Sequence, residues 1–150
     1  MKYTNTGRKS EKRVVPDTNI LLSGLLWTGP PHELIRMAEE GDIDLYTSLE
    51  ILNELEEVLR RERFQRRIAA LDTTVEELMK RARFLMNIVE VEFPDEPIVQ
   101  EDPDDDMFLA CATAAKTSLI VSGDHHLLNM GNFGDIQILK VVDALNILKP

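Results

Sequence analysis

Cysteine and long apolar runs are both scarce in this sequence. Cys111 is the only cysteine among 150 residues, so an intrachain disulfide is excluded and a reducing cytoplasm is the expected compartment. Cys111 lies between alanines in a predicted helix, where we expect an inert, packed thiol. No signal peptide is visible, and no apolar run approaches the roughly 20 residues that a membrane span needs. The sequence therefore predicts a cytoplasmic protein without a membrane segment.

Positive charge is also in short supply. The 27 acidic residues outnumber the 17 Lys and Arg residues and give a net charge of -10, so a general coat for nucleic acid is not expected. A nuclease is still compatible with this balance, because acidic residues around metal ions reverse the local field. The length and ordinary composition predict one domain. We assign residues 1–12 to a flexible arm and 13–150 to that single domain.

The chain has neither a P-loop nor a G-x-G-x-x-G motif, so a nucleotide-cradling fold is not indicated. Short apolar segments instead alternate with amphipathic helical patterns, which predicts an α/β fold whose parallel sheet is covered by helices on both faces. The five segments that we interpret as strands are 13–16, 45–47, 88–93, 118–122 and 136–139.

Four carboxylates fall near the ends of these elements. Asp17 follows the first strand, Glu54 lies in the helix after the second, Asp106 opens a later helix, and Asp124 follows the next strand. Ligands in open α/β sheets bind at the carboxyl ends of the strands, so we expect these side chains to converge there. Crowded carboxylates need a positive partner to stay ionised, and oxygen ligands favour Mg²⁺ or Mn²⁺. Such an ion can activate water against a phosphodiester, which is nuclease chemistry.

Three segments carry a resemblance to a known family. They read VPDTNILLSGLL, SLEILNELEEVL and DPDDDMFLACATAAKTSLIVSGDHHLL. In this order they resemble the signature segments of PIN domains, most closely the branch of VapC-like ribonuclease toxins from toxin–antitoxin systems. The resemblance runs over roughly residues 13–148. It implies a doubly wound fold with about five parallel strands and a metal-dependent endoribonuclease, often a homodimer and often neutralised by an antitoxin.

The resemblance also implies roles for individual residues. It assigns the acidic metal ligands and catalytic carboxylates to Asp17, Glu54, Asp106 and Asp124, with Mg²⁺ or Mn²⁺ as the cofactor and RNA as the substrate. It places supporting polar residues behind these ligands, at Asn19, Asp105 and Ser122. Asp104 and Asp105 adjoin Asp106 directly, so either of them is an alternative third ligand.

Simpler interpretations remain open beside this one. Asp17 and Asp124 could be turn or capping residues, Asp106 a helix-terminal acid, and Glu54 a solvated glutamate. The alternative function is a catalytically silent PIN fold that binds RNA or protein. We expect His125 and His126 to be exposed loop imidazoles, and Trp27 and Phe64 to be packing residues. The five arginines within residues 60–67 form either a solvated face or a grip on RNA phosphates or an antitoxin.

Overall fold

The fold was analysed in a computed structural model that describes residues 12–92 and 106–149. Those two ranges contain six strands and eight helices, and one or more helices separate each strand from the next except between the last two strands. Within them, no helix has the length and apolar character needed to cross a membrane. The elements are β1 (Arg13–Pro16), α1 (Thr18–Leu26), α2 (Pro30–Glu39), β2 (Asp44–Thr47), α3 (Leu49–Leu59), α4 (Glu62–Ala70), α5 (Val75–Leu85), β3 (Asn87–Ile88), α6 (Asp106–Ala115), β4 (Leu119–Val121), α7 (His125–Met130), β5 (Asn132–Phe133), β6 (Ile136–Leu139) and α8 (Val141–Leu148).

The strands form one sheet in the order β3-β2-β1-β4-β6-β5. All neighbouring pairs are parallel except β5 and β6, which form an antiparallel hairpin. The chain builds outward from β1 to β3 and then crosses back to place β4 on the other side of β1. This reversal makes the β1–β4 junction the switch point of the sheet, where α/β folds form their binding crevice.

The centre of the sheet is apolar on both faces. Val14 and Val15 in β1 are fully buried, as are Ile120 and Val121 in β4. Successive strand residues point to opposite faces, so both faces of these two strands must be covered. The α/β fold with a covered, mostly parallel sheet is thereby confirmed.

Local sequence signals explain several element boundaries. Pro16 occupies the last position of β1, where its missing N–H costs least. Ser48 caps α3 by accepting a hydrogen bond from the Ile51 N–H at 3.3 Å, and Thr74 caps α5 through the Glu77 N–H at 3.1 Å.

Three features differ from the sequence prediction. Of the strand expected over 88–93, the described residues form only the two-residue β3, which pairs with the end of β2, and residue 93 lies outside them. A sixth strand, β5, lies just before the predicted strand 136–139, and a tight turn with positive φ at Gly134 pairs it with β6. The arginine-rich segment forms α4, anchored by the buried pair Phe64 and Ile68.

Gly24 sets the distance between α1 and α2. A β-carbon at this position would lie 2.5 Å from Ile35 Cδ1 and 2.7 Å from the carbonyl oxygen of Pro31. The carbonyl belongs to the backbone at the start of α2 and cannot turn aside. Close packing of the two helices therefore requires glycine here.

We expect Gly24→Ala to lower the free energy of unfolding. Overpacking typically costs about 1–3 kcal/mol, which outweighs the roughly 1 kcal/mol that alanine gains over glycine in a helix. Urea unfolding monitored by circular dichroism measures the change. Ser23→Ala, one residue earlier in the same helix, is the control and should stay within about 0.5 kcal/mol of wild type. A Gly24→Ala protein as stable as wild type would contradict the close approach.

Candidate active site

The carboxylate of Asp17 lies at the switch point, immediately after β1. Its backbone N–H donates to the Val121 carbonyl at 2.9 Å and so extends the β1–β4 ladder by one bond. Oδ1 accepts from the Ile20 N–H at 2.8 Å. Oδ2 accepts from the Ser122 hydroxyl at 2.6 Å and from the Gly123 N–H at 3.2 Å. The carboxylate is thus held in place by the first turn of α1 and by the two residues that follow β4.

Ser122 couples Asp17 to Asp124. While its hydroxyl donates to Asp17, its Oγ accepts from the Asp124 N–H at 2.9 Å. Asp124 Oδ1 in turn accepts from the His126 N–H at 2.7 Å. One chain of hydrogen bonds therefore holds both carboxyl groups at the same edge of the sheet.

The environment of Asp17 disfavours its charged form. The residue is only 4% exposed, and burial raises the pKa of its carboxyl group above the ordinary value. Hydrogen bonds from Ser122, Ile20 and Gly123 lower that pKa, and the negative charge of Asp124 raises it again. Buried carboxylates are normally paired with a cation, so a positive partner would relieve this site.

Asp17 and Asp124 do cap helices, which was the simpler interpretation of both. Asp17 caps α1 and Asp124 caps α7. Capping occupies one lone pair on one oxygen of each carboxylate, which leaves acceptor capacity on both groups. A cap also works at the surface, so capping alone does not explain why Asp17 is buried.

Asp106 is brought to the same edge by its helix. The far end of α6 lies beside the start of β1, because Arg13 Nη1 donates to the Ala115 carbonyl at 3.0 Å and the Thr117 hydroxyl donates to the Arg13 carbonyl. Helix α6 packs across β1, β2 and β4 and is about 15 Å long, close to the length of β1. Its first residue, Asp106, therefore lies at the carboxyl end of the strands, where it is buried.

The other predicted site residues are less closely tied to Asp17. Glu54 lies half-buried in α3, which contacts both α1 and α6. Asn19 is exposed, and within the described residues no hydrogen bond joins its side chain to Asp17. Asp104 and Asp105 lie outside the described residues, so the choice among them and Asp106 as third ligand stays a prediction.

Two hydroxyl groups near this edge were not singled out in the sequence. Thr18 follows Asp17 directly, and Thr47 ends β2, the strand beside β1. Both side-chain oxygens are buried without a hydrogen-bond partner in the part of the chain that the structure describes. Such orphaned groups are rare in cores and suit a site that receives a hydrated ligand. The signal for Thr47 was a polar residue ending a buried strand.

The histidines depart in part from the sequence prediction, whereas the cysteine does not. His125 and His126 open α7 rather than lying in a loop; His125 is exposed as expected, but His126 is half-buried and its Nδ1 has no hydrogen-bond partner among the described residues. His126 Nδ1 is 3.7 Å from Asp124 Oδ1, which is too long for a hydrogen bond. Cys111 is fully buried, and burial raises its pKa to about 12, as expected for an inert thiol.

The chain matches a known protein family. A family model for the PIN domain matches residues 13–126, about three quarters of the sequence. The chain belongs to the PIN domain family. The matched span includes all four predicted acids: Asp17, Glu54, Asp106 and Asp124. No curated protein matches the chain significantly.

PIN domains typically bind divalent metal ions, so the fit of this site to such an ion matters. Within residues 12–92 and 106–149, no three His, Cys, Asp or Glu side chains are arranged to hold one ion in common. A caged ion is therefore not indicated by the described residues. Mg²⁺ is usually held by one or two carboxylates together with waters and substrate phosphates. The coupled carboxylates of Asp17 and Asp124, with orphaned hydroxyls nearby, fit that mode.

We expect Ser122→Ala to destabilise the PIN domain. The change removes a donor from the buried Asp17 carboxylate and an acceptor from the Asp124 N–H, and buried groups left unsatisfied cost about 1–3 kcal/mol each. Urea unfolding measures the loss. Ser118→Ala, an exposed serine just before β4, is the matched control and should change stability by less than about 0.5 kcal/mol. Equal effects of the two changes would contradict the coupling.

The raised pKa of Asp17 predicts a pH-dependent stability. The contribution of Asp17 is fully present below its unfolded pKa of about 3.9 and is lost as pH rises through its higher folded pKa. Asp17→Asn has no proton to lose and gains no buried charge, so its unfolding free energy relative to wild type should increase across that window. Urea unfolding at stepped pH in EDTA measures this difference. A difference that does not change with pH would contradict the raised pKa.

Proposed function

We propose that this PIN domain is a metal-dependent endoribonuclease, active in the cytoplasm, that hydrolyses RNA phosphodiester bonds. The observation that carries the proposal is the pair of acids at the switch point that Ser122 links, Asp17 through its carboxylate and Asp124 through its backbone N–H, with Asp17 buried and without a cation among its contacts in the described residues. Membership of the PIN family, which is associated with nuclease activity, supports the same chemistry.

In this proposal Asp17 and Asp124 hold a Mg²⁺ or Mn²⁺ ion, with Asp106 and Glu54 as further ligands. When bound, such an ion lowers the pKa of water and stabilises charge on the phosphodiester. The Ser122 hydroxyl and the Gly123 N–H keep the Asp17 carboxylate in one orientation. The N–H of His126 does the same for Asp124. Fixed carboxylates spare the site the reorganisation that a flexible set would need.

We further propose that the enzyme is the toxin of a type II toxin–antitoxin pair, with an antitoxin protein as partner and a homodimer as the working form. The resemblance of the three sequence segments to VapC-like ribonucleases supports this narrower role. The second candidate is a catalytically silent PIN fold that binds RNA or protein. It is favoured by the lack of a three-ligand cluster in the described residues.

We expect purified wild-type protein to cleave single-stranded RNA in Mg²⁺ and not in EDTA. Asp17→Asn and Asp124→Asn should each lose at least about 100-fold in rate, because changes merely behind metal ligands already cost 10–100-fold. Asp143→Asn, an exposed acid in the first turn of α8, is the matched control and should cleave like wild type. Gel analysis of a labelled oligonucleotide provides the measurement.

Two results would overturn the enzyme proposal. Cleavage that survives in both active-site variants would come from a contaminant. RNA binding without cleavage by wild type in Mg²⁺ or Mn²⁺ would favour the silent module.

A further inference from the structure

A second polar surface lies at the opposite end of α1 from Asp17. Trp27 follows the last residue of α1 and is 42% exposed, so it is not the packing residue that the sequence predicted. Its ring meets the buried Phe64 of α4 edge-to-face, with centroids 6.2 Å apart and planes at 68°. This contact fixes the indole while much of its surface stays open to solvent.

Two arginines of α4 stack on these rings. The guanidinium of Arg67 lies 5.6 Å from the Trp27 ring centroid, and its Nε donates to the Leu26 carbonyl at 2.7 Å. Arg63 lies one turn earlier on the same side of α4, 4.7 Å from the centroid of Phe64. We name Trp27, Arg63, Phe64 and Arg67 the Trp27 cluster.

The two arginines of the Trp27 cluster have no carboxylate partner in the part of the chain that the structure describes, in contrast to Arg60. Arg60 is bound by the carboxylates of both Glu56 and Glu76, each at 2.9 Å. Within the described residues, neither Arg63 nor Arg67 has a carboxylate at ion-pair distance. The terminal nitrogens of Arg67 therefore keep donors free for an anion, in a guanidinium already oriented by the main chain. Because the protein as a whole carries a net charge of -10, an arginine without a carboxylate partner at this surface points to an anionic ligand.

A cavity of about 390 Å³ adjoins the cluster. Its walls mix apolar and polar groups, which is typical of a ligand site rather than a packing defect. The side chains that matter here are Trp27, His32, Arg67, Glu77, Leu78 and Arg81, of which Glu77 is the one acid. The ring of Trp27 and the guanidinium of Arg67 thus border this cavity.

We propose that the Trp27 cluster is a subsite for single-stranded RNA, where a base stacks on Trp27 and the adjoining phosphates bind Arg67 and Arg63. Aromatic rings and guanidinium planes are the two surfaces on which splayed bases stack, and arginine also binds phosphate through its fork of donors. An acidic protein segment would use the arginines but would leave the exposed indole without a role.

The subsite is placed to serve the active site. The nine residues of α1 separate Asp17 from Trp27, and the ten steps between them span about 15 Å at the rise of an α-helix. A single strand held at Trp27 would therefore be anchored one helix length from the carboxylates. The inference rests on the proposed ribonuclease function and names how its substrate is held.

The chain offers a direct probe, because Trp27 is its only tryptophan. A short single-stranded RNA oligonucleotide is titrated into the wild-type protein in EDTA while the intrinsic tryptophan fluorescence is recorded. Stacking of a base on Trp27 should quench this emission saturably. Since no metal is needed for the readout, the test is independent of whether the protein cleaves RNA.

Variants then assign the contacts, with binding measured by anisotropy of a labelled oligonucleotide. Trp27→Leu should weaken binding by about 5- to 150-fold, the range for loss of one stacked base, and Trp27→Phe should restore most of it. Arg67→Ala should weaken binding and reduce the magnitude of the salt slope by about 0.7, as expected for one lost phosphate contact. Arg60→Ala removes the same charge from a paired arginine and should leave affinity within about twofold of wild type.

The outcomes separate this subsite from the enzyme proposal. Saturable quenching with selective losses in Trp27→Leu and Arg67→Ala supports the subsite, whether or not RNA is cut. RNA that binds without changing the emission, or equally well to Arg67→Ala and Arg60→Ala, overturns it even if Mg²⁺-dependent cleavage persists. Displacement of the RNA by an equal concentration of polyglutamate would also overturn it, in favour of an acidic protein partner.

Discussion

A buried carboxylate held across two parallel strands is the constraint on which this structure depends. Asp17 directly follows β1, its N–H continues the ladder to Val121 of β4, and its side chain accepts hydrogen bonds from Ser122 and Gly123 just beyond β4. The register of β1 and β4 must be kept for these bonds to form. The apolar core around β1 and β4 fixes that register. The Asp17 carboxylate at the carboxyl end of these strands makes this edge of the sheet a candidate cation site.

The same architecture separates two kinds of chemistry along α1. Asp17 caps the N-terminus of α1, and the carboxylate oxygens at this end of the helix favour a cation. The C-terminal end of α1 lies beside Arg67 of α4, whose remaining guanidinium N–H donors favour an anion. For a chain of net charge -10, the proposed subsite on one short helix would give a local binding site for phosphate without a general affinity for nucleic acid.

Much of the fold was predictable because its signals are local. Buried valines, the caps at Ser48 and Thr74 and the position of Pro16 each act within a few residues. Helix α4 was not predicted, because five arginines obscure an apolar stripe of only two buried residues, Phe64 and Ile68. The β5–β6 hairpin was missed because each paired segment is too short to show a period.

The site was predictable only in part, for a physical reason. Motif spacing indicated which acids follow strands or open helices, and Asp17 and Asp124 do lie at the same edge of the sheet, linked through Ser122. The hydroxyl of Ser122 that joins them depends on strand register, which no local pattern encodes. The exposure of Trp27 likewise depends on how α1 meets α4, and the sequence showed only an aromatic residue beside a glycine-proline turn.

The most direct test of the central claim is calorimetric titration of Mn²⁺ into the metal-free protein in buffers of different ionisation enthalpy. Because burial raises the pKa of Asp17, we predict saturable binding whose proton release grows as the pH is lowered, and no such binding in Asp17→Asn. Saturable binding of equal strength in the variant, or none in wild type, would contradict a metal centre built on Asp17.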